Sequence, residues 1–171
     1  MKNQPQGVGP QGHGQPGILR PHGLATDASG RLLVADPDQR MVHVLDVNGR
    51  KYSFLDPAPF LSPVGIAVGL DQSIYVSDSA RRRVYRYGPD GRLRAALGLV
   101  NGEAVFARPT GLAVTPGGNL LVVDTVGCRV VEMSPSGLVA RTFGRRGAGP
   151  GEFNYPTDIT VARDGRMFVV D

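Results

Sequence analysis

The sequence has no tryptophan, one cysteine (Cys128), two lysines, and no apolar run approaching a membrane span. Each shortage excludes something. A single cysteine cannot close an internal disulfide, so no oxidising compartment is implied. A transmembrane helix needs about 20 consecutive apolar residues, so no membrane partner is expected. The N-terminal stretch MKNQPQGVGPQGHGQPG has none of the apolar core of a secretory signal. As it stands, the chain is expected in the cytoplasm; a fragment stripped of its leader would be secreted or periplasmic. Helical periodicity is absent throughout, as are a serine nucleophile elbow and a phosphate loop leading into a helix.

What is abundant is punctuation. The 171 residues include 24 glycines and 14 prolines, the usage of a chain with many close turns. The hydrophobic fraction of 41% and charged fraction of 20% are those of a globular domain. The net charge of +4 is carried by 17 arginines. That excess permits an anionic partner without requiring one.

Internal repetition organises the rest. Four segments align: RPHGLATDASGRLLVAD (20–36), SPVGIAVGLDQSIYVSD (62–78), RPTGLAVTPGGNLLVVD (108–124) and YPTDITVARDGRMFVVD (155–171). In each, a proline (Pro21, Pro63, Pro109, Pro156) stands 15 residues before an aspartate (Asp36, Asp78, Asp124, Asp171). In the first three, a glycine (Gly49, Gly91, Gly137) follows 13 residues later, and successive prolines are 42, 46 and 47 apart. Each unit reads as four strands. The first is Gly23–Thr26 or its equivalents Gly65–Val68 and Gly111–Val114. The second is an unbroken apolar run, Leu32–Ala35 or Leu120–Val123, of the kind buried on both faces. The third (Met41–Leu45, Arg83–Tyr87, Arg129–Met133) ends in Val-Asn-Gly, Pro-Asp-Gly or Pro-Ser-Gly, where glycine accepts the backbone of a tight reversal. The fourth lies near Arg50–Leu55, Arg92–Leu97 and Leu138–Phe143. Four-stranded units every 40–50 residues are the signature of propeller blades.

The unit resembles the NHL repeat: Pro-x-Gly-Ile-Ala-Val, then Gly-x-Leu-Tyr-Val-Ala-Asp, then Arg-Val and a glycine-ended turn. The linker Phe143–Gly151 leading through Glu152-Phe153 to Pro156 fits as well. The resemblance covers about residues 12–171. It departs where the family's asparagine is Gln39, Arg81 and Gly127, and where Asp158 replaces a glycine. It implies an all-β fold of four-stranded antiparallel blades in an incomplete ring: about 18–60, 61–106, 107–153, and half a blade at 154–171. A flexible leader, 1–17, precedes them. The family's rings typically have about six blades. Two readings stay open: a segment of a longer propeller, or a homo-oligomer whose copies complete the ring.

Repetition also serves as an internal control. His43 matches Tyr85 and Val131, so it reads as a packing position; Cys128 matches Arg40 and Arg82 on a turn. The repeated aspartates read as acceptors for the backbone of their own turns. His22 matches Val64, Thr110 and Thr157 beside the channel and is the single catalytic candidate, since related propeller lyases carry a histidine near such a Pro-His-Gly. No other blade supplies a histidine to share a metal, so no metal or cofactor is expected. The zigzag of strands gathers Arg40, Arg81, Arg82, Arg83, Arg129, Arg145 and Arg146 on the linker-bearing face. The expectation is therefore a non-catalytic scaffold docking a protein, peptide or other anionic ligand there. The alternatives are a lyase or hydrolase at the channel mouth near His22, and RNA binding through the arginines. Aromatic content of only 6% weakens the RNA reading.

Overall fold

The computed structural model describes residues 17–46, 48 and 51–171. The leader through residue 16, with His13, lies outside the described residues. So do Val47, Gly49 and Arg50, where the first hairpin turn and the start of a fourth strand are expected.

Among the described residues every regular element is a strand. Blade 1 is β1 (Leu24–Thr26), β2 (Arg31–Asp36), β3 (Met41–Asp46) and β4 (Lys51–Phe54). Blade 2 is β5 (Pro63–Val68), β6 (Ile74–Asp78), β7 (Arg83–Tyr87) and β8 (Leu93–Leu97). A small hairpin follows, β9 (Leu99–Val100) with β10 (Glu103–Ala104). Blade 3 is β11 (Pro109–Val114), β12 (Leu120–Asp124), β13 (Arg129–Met133) and β14 (Val139–Phe143), and the half blade is β15 (Asp158–Val161) with β16 (Met167–Val170). Strands pair antiparallel in chain order within each sheet, and the stack of sheets is open. The hairpin β9–β10 has no counterpart in the strand pattern read from sequence; it grows from the longer linker between blades 2 and 3.

The unbroken apolar runs have a simple cause. Side chains alternate faces along a strand, so a middle sheet needs apolar residues at every position. In β12, Leu120 and Val122 point into the core shared with Tyr75 and Val84 of blade 2, while Leu121 and Val123 point towards Ile159 of the half blade. On the other side, Leu33, Ala35, Val42 and Val44 meet Ile74, Val76, Tyr85 and Tyr87. One strand thus serves two cores.

The innermost strands stack by glycine. A Cβ on Gly23 would lie 2.2 Å from the Val64 carbonyl oxygen, one on Gly65 2.1 Å from that of Thr110, and one on Gly111 2.5 Å from the Asp158 Cα. Lacking a side chain, each glycine lets the next blade's backbone approach to contact. Polar bonds then cross the seams. The Ser77 hydroxyl donates to the Thr110 carbonyl at 2.5 Å, and the Gly111 amide donates to the Thr157 carbonyl at 3.1 Å.

The repeated aspartates do more than close their own turns. Asp78 accepts from the turn amides of Ala80 (3.1 Å) and Arg81 (2.8 Å), and from the linker amides of Leu61 (2.7 Å) and Ser62 (3.1 Å). Asp36 does the same with Asp38 and Gln39 on its turn and Leu19 and Arg20 on the incoming linker. Asp124 takes Ala107 and Arg108, and Asp171 takes Asn154 and Tyr155. Asp36, Asp78 and Asp124 thus staple the residues just before the proline to the turn between the blade's second and third strands, and Asp171 holds the residues before Pro156.

Candidate channel-mouth site

The staples fix where each inner strand begins, and the four beginnings share one cleft of about 460 Å³. Its wall runs from His22 and Gly23 through Gly65 and Thr110 to Thr157 and Asp158. His22 stands at one end of the arc, on a backbone fixed by its amide donating to Ala35 O at 2.9 Å, with its imidazole exposed. Asp158 stands at the other end, exposed, its Oδ1 accepting the Ile159 amide at 2.9 Å. Between them the Thr110 and Thr125 hydroxyls share a hydrogen bond of 2.8 Å. Among the lining residues, Asp158 is the one carboxylate and His22 the one imidazole. An imidazole can take and return a proton near neutral pH, and a carboxylate can orient or receive a cationic group. Among the described residues no three of His, Cys, Asp and Glu converge as a metal site would require.

The other sequence candidates lie elsewhere. Arg81 donates to Pro59 O (2.7 Å), Arg82 to Phe106 O (2.7 Å), and Arg83 to Arg82 O (2.9 Å). Arg129 binds Val105 O (2.7 Å) and pairs with the buried Asp124 (3.2 Å); Arg145 pairs with Glu152 (2.8 Å). The Arg81, Arg82 and Arg129 guanidinium groups hold linkers onto blades, whereas the Arg145 pair lies within a linker. Arg146 sits in a short bridge with Phe153, and Arg40 occupies the left-handed turn position (φ 56°) that Arg82 (59°) and Cys128 (49°) fill in the next two blades. Cys128 is buried, with Sγ 3.2 Å from Asn154 O.

His43 is fully buried and, as the repeat comparison expects, faces Val34 and Phe54 across the sheet. The comparison missed its polar surroundings. One ring nitrogen, Nδ1, shares a short hydrogen bond with the Tyr52 hydroxyl, while Nε2 lies 3.5 Å from Asp36 Oδ2 without a hydrogen bond. Burial pushes the imidazole below the ordinary histidine range, and Asp36 offsets only part of that. Burial pushes the Asp36 carboxyl up, but the Leu19, Gln39 and Arg20 amides, with His43, bring it below the usual carboxylate range.

Comparison with known proteins bears on the fold and on the class of the relatives. The NHL repeat family matches residues 106–132, which span the linker and first three strands of blade 3. The chain is 27% identical over 169 residues to peptidyl-glycine alpha-amidating monooxygenase B of Xenopus laevis, covering 90% of this chain and 18% of that protein. It is 26% identical over 166 residues to a probable peptidyl-alpha-hydroxyglycine alpha-amidating lyase of Caenorhabditis elegans, covering 88% of this chain and 45% of the relative. The chain therefore spans less than half the length of these relatives. Virginiamycin B lyase from Staphylococcus aureus superposes with a TM-score of 0.70 at 18% identity, over 88% of this chain and 48% of that one. That last likeness is one of fold.

These relatives are enzymes, which overturns the expectation of a non-catalytic scaffold docking ligands on an arginine-rich face. The physical reason is instructive. Comparing blades isolates what every blade needs, and catalysis needs one constellation at one mouth. His22 and Asp158, which fail to repeat, both line the one cleft, at its opposite ends. The NHL repeat matched in blade 3 is repeated in form by the sheets of blades 1 and 2, and the described residues build an open stack of propeller-type blades.

Proposed function

We propose that this segment carries the channel-mouth wall of a propeller enzyme of the lyase or hydrolase class, with His22 as its proton-transfer group. The observation that supports this most is the placement of His22 and Asp158, unlike their counterparts in the other blades, on the wall of one cleft shared by four inner strands. The sequence relatives named as amidating enzymes give the same direction. In this reading the glycine-stacked strands supply a rigid wall, and His22 accepts a proton from the substrate and returns it to the leaving group. Asp158 holds a donor or cationic part of the substrate.

The purified chain is tested against a peptidyl-α-hydroxyglycine and against virginiamycin B, the compounds that the relatives' names supply. Turnover that falls at least about 100-fold in His22→Ala, within the usual range for a general acid–base group, supports the reading. A folded chain that turns over neither, or a His22→Ala variant as active as the parent, overturns it.

A further inference from the structure

Blades 1, 2 and 3 use the same aspartate staple, yet among them only blade 1 places an imidazole beside it. On the neighbouring strand, two residues beyond the one paired with the aspartate, stands His43 in blade 1, Tyr85 in blade 2 and Val131 in blade 3. His43 is fully buried with Nε2 lacking a hydrogen bond, 3.5 Å from Asp36 Oδ2. The same Oδ2 accepts the amides of Leu19 at 2.7 Å and Arg20 at 3.2 Å. Those two residues lead directly into Pro21 and His22.

We propose that Asp36, His43 and Tyr52 form a proton-sensitive clamp that positions the segment carrying His22. Neutral His43 accepts the Tyr52 hydroxyl at Nδ1 and carries its proton on Nε2, leaving Oδ2 to hold the linker amides. Protonation adds a full charge to the ring. The Tyr52 oxygen turns from donor to acceptor, and the Nε2–H draws on Asp36 Oδ2, an oxygen already bound by two amides. Competition for that oxygen loosens Leu19 and Arg20 and with them the approach to His22. Asp36 from β2 and Tyr52 from β4 are the titratable groups against the ring among the described residues. Its other cross-strand neighbours, Val34 and Phe54, are apolar. His43 is thus a positioning residue, acting through Asp36. The consequence for catalysis rests on the channel-mouth reading, whereas the clamp itself does not.

The test needs no substrate. Amide exchange of Leu19 and Arg20, corrected for intrinsic rates, is followed by NMR from about pH 8 downwards until the His43 ring shifts have passed their midpoint. Leu61 and Ser62 on Asp78, with Ala107 and Arg108 on Asp124, are the internal controls. The expected result is a selective loss of protection at Leu19 and Arg20. It should reach about tenfold, the equivalent of one weakened charge-assisted hydrogen bond, with the same midpoint as the His43 ring shifts. His43→Val and His43→Tyr install the residues of blades 3 and 2, and either folded variant should lose the selectivity. The clamp is overturned if all three linkers respond together, or if the selective response persists in either variant. Absence of catalytic turnover, by contrast, bears only on the role of His22.

Discussion

Replacing Gly65 with alanine isolates the contact that stacks the blades. The added Cβ would lie 2.1 Å from the Thr110 carbonyl oxygen and 2.8 Å from Ser77 Oγ. A relaxed carbon–oxygen contact is more than 1 Å longer, so β11 must retreat or β5 must bow. Either movement also stretches the Gly65 amide to Ser77 Oγ bond (2.9 Å) and the Ser77 Oγ to Thr110 O bond (2.5 Å). Overpacking costs about 1–3 kcal/mol, and each weakened hydrogen bond adds roughly 1 kcal/mol. The stiffer unfolded chain returns about 0.5 kcal/mol. The net destabilisation expected is about 3 kcal/mol. With a urea m-value near 2 kcal/mol/M, the unfolding midpoint should fall by roughly 1.5 M. Tyrosine fluorescence and far-UV circular dichroism are the probes, as the chain has no tryptophan. Gly102→Ala is the control: its added Cβ meets nothing within 4 Å, and the cost is the left-handed backbone alone (φ 84°), about 1 kcal/mol. A Gly65→Ala midpoint shift no larger than that of Gly102→Ala would refute the stacking argument.

Asp78→Asn puts amide hydrogens among the amides of Leu61, Ser62, Ala80 and Arg81; a loss of about 2–3 kcal/mol in chemical denaturation is expected. Arg129→Ala removes bonds to Val105 O and Asp124, but the side chain is 37% exposed, so solvent screening holds the loss near 1 kcal/mol. The thermal midpoint should then fall by about 2–4 °C. Stability should decline on acidification below about pH 4. Glu132 is lowered by its bonds to Asn119 and Arg141, against burial, and Asp36 is lowered by linker and turn amides despite a larger opposing burial effect. A depressed carboxylate adds stability above its unfolded pKa and loses it as pH falls through the folded one. His43 has the same sign in a higher window: its neutral form is favoured by the fold, so stability begins to fall below about pH 6.5. In His43→Val that upper decline should be missing from denaturation midpoints measured across pH.

The fold was legible because a propeller repeats its reasons. Every sheet must hide two faces, so Leu120–Val123 reads as buried without knowing its partners. Every hairpin needs its glycine, so the periods are visible as well. What stayed illegible depends on contacts between units. Arg81, Arg82 and Arg129 look like a cationic surface until their linker carbonyl partners 22, 24 and 24 residues away are seen. The hairpin β9–β10 is too short to produce an alternating pattern. The bond between His43 and Tyr52 runs between adjacent strands, but nothing in residue spacing tells that a buried ring has kept an unpaired nitrogen.

Asp158 shows best how structure changes the meaning of a sequence feature. As a string it is a departure from glycine at one of four equivalent positions. The three glycines let β1, β5 and β11 each receive the next inner strand at contact distance, and Gly111 does so against Asp158 itself. A strand stacked on β15 in the same way would meet the Asp158 Cβ where the others meet none. The carboxylate itself turns towards Gly111, its Oδ1 lying 2.6 Å from where a Cβ on that glycine would stand. Asp158→Gly should change stability little, because Asp158 is exposed and its carboxylate holds the adjacent Ile159 amide and a contact with Gly111. If the variant instead unfolds by about 2 kcal/mol or more, the range of structural substitutions, Asp158 belongs to the scaffold. A stable variant that loses substrate binding would place it in the site, opposite His22.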